Sequence, residues 1–257
     1  RFYNSIGSDK GLFGYGWGTV LTPKLISING MIRIEELSGG GKSHFIDKKK
    51  DTIASVVDKL VKAIPSKGMD AAYSEKIKEN LLSNNDMIFD LADKNALNGY
   101  VHKEGTEMEC VERVGEKIKK VKGGYIRLKV DGNADYFDNT GKMIRQKMKS
   151  GRYFVYSYDQ RGNVDTIKDQ LGRWMKFYFS SDNLLQKIVM FNKKVAEYKY
   201  DNKGDLIESK DTAGQTYTYK YNNYHKLVEV GLPSKTGKPA RIIVKYEGST
   251  GRAIYQK

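Results

Sequence analysis

The residues of this chain that could do chemistry are few, and most of them recur. Asp159, Asp201 and Asp211 are carboxylates in similar surroundings. A general acid–base pair should occur once, set apart from any repeat. These acids return with the pattern around them, as turn residues do. Cys110, between Glu109 and Val111, is the one cysteine, so no internal disulfide forms. His44, His102 and His225 have no His or Cys near them at ligand spacing. The expectation is no catalytic residue, no cofactor and no metal. Gly39-Gly40-Gly41-Lys42-Ser43 looks like half of a phosphate-binding loop. It lacks the first glycine of that motif and lies between strands rather than opening a helix, so it reads as a turn.

Aromatic rings beside cations are the remaining chemistry. Trp174, Tyr198, Tyr217 and Tyr219 stand among lysines and arginines. Exposed rings of this kind stack on sugar faces, and the cations suit anionic glycans. The competing reading is a ladder in which stacked repeats bury like side chains against one another. Rings plus positive charge also bind single-stranded nucleic acid, for which only composition speaks. The charge is 45 Lys+Arg against 31 Asp+Glu, or +14, but the lysines are spread along the chain. A nucleic-acid footprint is clustered. The charge therefore reads as a solvated exterior, with an anionic glycan or cell-envelope polymer as a partner and nucleic acid not expected.

The elements that must position these residues are mostly short strands. Phe137-Asp138, Tyr158-Asp159, Phe179-Ser180, Tyr200-Asp201 and Tyr221-Asn222 each pair an aromatic with a small polar residue. Positions 137, 158, 179, 200 and 221 give a step of 21 residues. A further unit begins at Tyr246-Glu247, and its four extra residues fit a loop around 233–239. Within a unit, Asp159 to Asn163 is a turn and Val164 to Lys168 a strand. Asp169 to Gly172 is a second turn, and Arg173 to Phe179 a strand. Asp or Asn at a turn start accepts from backbone amides two residues on, and the glycine three residues after the aromatic supplies a positive φ. In Arg173–Phe179, alternation puts Met175, Phe177 and Phe179 on one face and Trp174 and Tyr178 on the other. Both faces carry rings, so the pattern does not say which face is inward.

Three sections follow. Residues 1–47 are an N-terminal β segment with the glycine–aromatic tract Gly11 to Gly18 and a hairpin at Asn29-Gly30. Residues 48–98 form a helical insertion. Ile53, Val56, Val57, Leu60, Val61 and Ile64 make one apolar helix face ending before Pro65, with Gly68 just beyond. A second helix runs from Asp70 to Leu82. A third, capped by Asn85 or Asp86, includes Ile88, Phe89 and Leu91. Residues 99–257 are β hairpins leading into the repeats. The apolar helix faces are expected to pack on the sheet. No apolar run approaches the roughly 18 residues of a membrane span. The chain starts at Arg1 without a signal peptide, which reads as processing or as a piece of something larger.

Tyr158-Asp159 with Gly162, Leu171-Gly172-Arg173 and Tyr178 resemble the repeat of the YD-repeat, or Rhs, family. Tyr200-Asp201 with Gly204 and Leu206 does so again. The tract at 11–17 is similar to the segment that often precedes such repeats, and residues 123–141 to their usual entry. The resemblance implies a mainly β, antiparallel spiralling sheet of 21-residue strand–turn–strand units, here with a small α-helical insertion. It implies a wall that can close into a shell around a toxic C-terminal region. Other members sit on cell surfaces and have been linked to carbohydrate binding or adhesion. The implied partner is further YD-repeat sheet of the same or another chain, and the implied location exported, extracellular or in the cell envelope. The chain departs from the complete toxin pattern. It has no Asp-Pro-x-Gly processing motif and no variable toxin domain after the repeats. Its six units are too few to enclose a cargo alone.

Overall fold

The computed structural model of the chain describes residues 2–5, 10–36, 41–64, 71–234, 240–248 and 252–256. The chain is mainly antiparallel β with three helices among the described residues. It divides into two compact units, each discontinuous in sequence. One comprises Pro23–Glu35 and Lys42–Tyr153; the other comprises Arg1–Thr22, Glu36–Gly41 and Phe154–Lys257.

The first unit carries the helices. Strands Lys24–Ile28 and Met31–Glu36 form a hairpin with Ile28 opposite Met31 across Asn29-Gly30. Gly30 has φ 93°, the positive value such a two-residue turn requires. α1 (Ile53–Ala63) starts on a capping box: Thr52 Oγ1 accepts from the Ser55 amide, and Ser55 Oγ accepts from the Thr52 amide. α2 spans Ala71–Ser83, and α3 spans Asn85–Lys94. The N-cap of α3 is Asn84, whose side chain accepts from the Asp86 amide. The expected caps Asn85 and Asp86 lie instead inside the first turn. Pro65, Gly68 and Asp70 lie outside the described residues. The apolar helix faces do pack on strands. Val56, Val57, Leu60, Leu81, Ile88, Phe89 and Ala92 form one core with Ile28, Met31 and Ile46. Burying a side chain such as Phe89 stabilises by about 1.5–3 kcal/mol. The sheet of this unit continues through Glu107–Cys110, Lys117–Val121, Gly124–Leu128, Ala134–Asp138 and Met143–Lys147.

The second unit contains the repeats as an antiparallel meander. Its strands are Tyr153–Tyr158, Val164–Asp169, Trp174–Phe179, Leu185–Met190, Val195–Tyr200, Leu206–Lys210, Thr216–Tyr221, Leu227–Gly231, Arg241–Tyr246 and Ala253–Gln256. The register shifts just before Tyr158, Phe179, Tyr200, Tyr221 and Tyr246, so each aromatic of the series sits at an irregularity. The turn that follows closes the same way each time. Asp159 N donates to Asn163 O at 2.8 Å, Asp201 N to Asp205 O at 3.0 Å, and Asn222 N to Lys226 O at 2.9 Å. Asp201 Oδ1 accepts from the amides of Lys203 and Asp205, and Asn222 Oδ1 from those of Tyr224 and Lys226. The repeating acid is therefore a turn-former. The left-handed position is Gly162 and Gly204 in two units, but Asn183 (φ 59°) and His225 (φ 60°) in others. Residues 235–239 of the expected loop insertion lie outside the described residues.

Candidate functional site

Cross-strand pairing settles the direction of the rings. Tyr156 faces Ile167, which faces Met175. Phe177 faces Ile188, which faces Ala196. Tyr198 faces Ser209, which faces Tyr217, and Tyr219 faces Val230, which faces Ile242. Tyr156, Phe177, Tyr198 and Tyr219 are thus one position of the repeat, and Phe177, Ile188, Ala196 and Ser209 are buried. Three of the four rings expected to meet a glycan belong to this inward face. Tyr219 is only 4% exposed and its Oη lies 2.8 Å from Ser209 Oγ. That corrects its assignment as an exposed ring. Tyr198 and Tyr217 are partly buried. Trp174 is on the opposite face and is 36% exposed. The four rings are not brought together.

What covers the inward rings is the glycine–aromatic tract. Phe13 packs on Tyr198 with ring centroids 5.0 Å apart, and Trp17 meets Tyr219 edge-on at 5.3 Å. Trp17 Nε1 donates to Tyr221 Oη at 2.7 Å, and that hydroxyl donates to Leu206 O at 2.9 Å. Tyr3 lies edge-on to Trp17 at 5.2 Å. Its hydroxyl accepts from the Leu227 amide at 2.7 Å and donates to His225 O at 3.2 Å. Tyr15 stacks on the His225 ring at 4.1 Å. The glycines allow this approach. A Cβ on Gly14, which has φ 93°, would stand 2.8 Å from Gly204 O. The sequence pattern marked the tract as one where backbone passes close and rings pack. It did not say on what.

The electrostatics of this site favour structure over reaction. Burial pushes the Tyr221 and Tyr246 phenols well above the usual range, so both remain hydroxyl donors. Tyr246 Oη donates to Leu227 O, as Tyr221 does to Leu206 O one unit earlier. Burial raises the Asp205 carboxyl, and the bond from His225 Nδ1 at 2.9 Å pulls the other way. This His–carboxylate pair holds a strained turn and stacks on Tyr15.

In the other unit, His44 lies between Glu112 Oε1 (2.6 Å) and Asp86 Oδ1 (3.1 Å), joining α3 to the sheet. Arg127, Glu116 and Asp135 form a fully buried ionic cluster, with Lys129 Nζ 2.7 Å from Asp135 Oδ2. Burial lowers His102 to about 4 and raises the Cys110 thiol. A buried thiol held protonated is a poor nucleophile. Gly41, Lys42 and Ser43, read from the sequence as part of a turn, lie instead in a strand, and Lys42 Nζ pairs with Asp86 at 3.3 Å; residues 39 and 40 lie outside the described residues. No group of three or more His, Cys, Asp or Glu able to hold a metal occurs among the described residues.

Residues 200–236 match the family model of the RHS Repeat. Among curated proteins, none matches the chain. Solved structures also match. A Photorhabdus luminescens Tc holotoxin pore does so at 10% identity and a TM-score of 0.39, over 88% of this chain and 12% of that one. The TcdB2-TccC3-Cdc42 structure matches at 12% identity and 0.37, over 58% and 9%. TcdB2-TccC3 without its hypervariable C-terminal region matches at 11% and 0.38, again over 58% and 9%. The chain spans about a tenth of the length of these solved chains.

Proposed function

We propose that this chain, whose residues 200–236 match the RHS Repeat, serves as a non-catalytic section of a larger RHS, or YD, repeat wall in an exported bacterial protein. The observation that carries this reading is the inward ladder. Tyr156, Phe177, Tyr198 and Tyr219, one position of the repeat, each face a residue of the next strand (Ile167, Ile188, Ser209 and Val230), and Tyr156, Phe177 and Tyr219 are buried. Stacked repeats of this kind are stabilised by nearest-neighbour contacts and continue by adding further sheet. The repeating Asp residues are spent on turns, and the hydroxyls of Tyr221 and Tyr246 on backbone carbonyls. The partner is then further YD-repeat sheet, and the wall's role is to enclose or present a toxin or effector.

A carbohydrate-binding or adhesion module is the second reading. One observation favours it: Trp174 keeps an exposed face on the side of the sheet away from the ladder. A glycan array and a heparin column, run on the full chain at low and physiological salt, separate the two. A wall section shows no selective retention, or only retention abolished by salt. Selective retention that survives physiological salt and disappears in Trp174→Ala would replace the wall with the adhesion reading.

A further inference from the structure

Two neighbouring hairpin tips of the repeat unit carry side chains that the turns themselves do not need. The turns Asp169–Arg173 and Met190–Lys194 close on the hydrogen bonds Asp169 N to Arg173 O and Met190 N to Lys194 O, each 2.9 Å. They lie on the same rim. Strands Trp174–Phe179 and Leu185–Met190 pair with Met175 opposite Met190, and Phe191 N donates to Trp174 O at 2.9 Å. The two tips are therefore about 10 Å apart, two strand spacings. Leu171 is 72% exposed at one tip and Phe191 51% exposed at the other, with the half-open indole of Trp174 between them. Elsewhere in the repeat, Asn192 and Ala213 take the place of Leu171, and Gln170 and Thr212 the place of Phe191. The turn closes equally well with those residues, as the Asp211–Gln215 bond of 2.9 Å shows.

The charge around the tips is one-sided. Lys168, Arg173, Lys193 and Lys194 are all exposed. The acid between them, Asp169, accepts from the Leu171 and Arg173 amides and pairs with Arg173 Nε at 2.6 Å. Lys168, Lys193 and Lys194 have no ion-pair partner among the described residues.

We propose that these paired tips form a peripheral membrane-contact site for an anionic phospholipid surface. Leu171 and Phe191 enter the acyl boundary, Trp174 lies at headgroup level, and the four cations meet headgroup phosphates. The tips are convex. A protruding leucine or phenylalanine gains little against a rigid partner without a matching pocket, but a lipid interface deforms around it. Indole rings settle at that interface, and basic side chains are drawn to anionic leaflets. Neither contribution is sufficient alone, since stable attachment to a membrane takes two signals.

The test uses the full chain with vesicles of phosphatidylcholine, with and without phosphatidylserine. Sedimentation with the phosphatidylserine vesicles and quenching of Trp emission by brominated lipid are expected. Trp17 is buried, so Trp174 is the reporter. Leu171→Ser with Phe191→Ser, both at exposed positions, should keep the melting temperature and weaken vesicle binding at least about tenfold. Lys193→Glu with Lys194→Glu should weaken binding to the phosphatidylserine vesicles by about as much. Equal binding by wild type and the Leu171/Phe191 variant would reduce the effect to charge attraction and overturn the proposal. Binding without bromolipid quenching, or retention on heparin or nucleic acid without vesicle binding, would also overturn it. The wall reading stands or falls separately.

Discussion

Trp17 Nε1 donates to Tyr221 Oη at 2.7 Å across 204 residues of sequence. Tyr221 is the aromatic of a repeat, and its hydroxyl passes the bond on to Leu206 O in the preceding unit. The N-terminal tract is thereby tied to two repeats through one phenol. Burial holds that phenol protonated, so the donor is present at any ordinary pH.

Removing the two ends of this link should have unequal effects. Trp17→Phe deletes one donor and leaves Tyr221 bonded to Leu206, at a cost of about 1 kcal/mol for the bond plus a smaller packing loss. Tyr221→Phe leaves both the buried indole N–H and the Leu206 carbonyl without their partner, and should cost about 2–3 kcal/mol. In the double variant the losses should fall short of their sum, because the residues touch. Urea unfolding of the four proteins measures this. Strict additivity would show that the link contributes nothing of its own.

The two faces of the repeat sheet should respond differently to truncation. Tyr219→Ala opens a cavity under Trp17 and should destabilise by about 3–5 kcal/mol. Trp174→Ala, on the outer face, should cost about 1 kcal/mol or less. Thermal or denaturant unfolding gives both values, and a reversed order would contradict the assignment of the inward face.

The register of the repeat was legible because a turn imposes a backbone requirement. An acid or amide that caps amides, followed by a left-handed position, must return wherever the turn returns, and it does at Asp159, Asp201 and Asn222. α1 was legible because its apolar residues fall on one face. The inward direction was not. Arg173–Phe179 carries rings on both faces, and period two has no sign, so Tyr219 passed as a surface ring while Phe177 and Tyr219 are in fact core. The seat of the glycine–aromatic tract was also hidden. Strands of two residues, such as Gly14–Tyr15 and Trp17–Gly18, have no period to read. The ring partners of Tyr15 and Trp17, His225 and Tyr219, lie about 200 residues away. The protruding Leu171 lies in the turn Asp169–Gly172, and Phe191 in the equivalent turn one unit on, where the backbone pattern says nothing of how far a side chain projects.

Asp159 gives a test of the turn role that separates charge from hydrogen bonding. Burial alone would raise its carboxyl, but the bonds from Asn163 and the nearby Arg161 outweigh that and leave it below the usual value. Its contribution is therefore present above about pH 4 and lost as pH falls through the lowered folded value. Asp159→Asn keeps the acceptor, as Asn222 does in its own turn. The variant should fold with stability within about 0.5 kcal/mol of wild type at pH 7 and lose less stability on acidification below pH ~4. A steeper acid loss in the variant would contradict the turn role.

His102 governs a higher pH window. It is buried, its Nδ1 lies 3.2 Å from Tyr125 Oη, and desolvation, with Lys120 adding to it, lowers its pKa from 6.5 to about 4. The unfolded chain therefore binds this proton more tightly than the folded one. Stability from this group is fully present above pH 6.5 and is lost as pH falls from 6.5 towards 4, by roughly 3 kcal/mol in total. His102→Gln removes the titration while keeping a polar side chain beside Tyr125. The variant should be less stable than wild type at pH 8, and the gap should narrow by pH 4.5. Unfolding free energies measured across that range would show the two curves converging. Parallel curves would mean that His102 is accessible to protons in the folded state, and that the Tyr125 contact does not bury it.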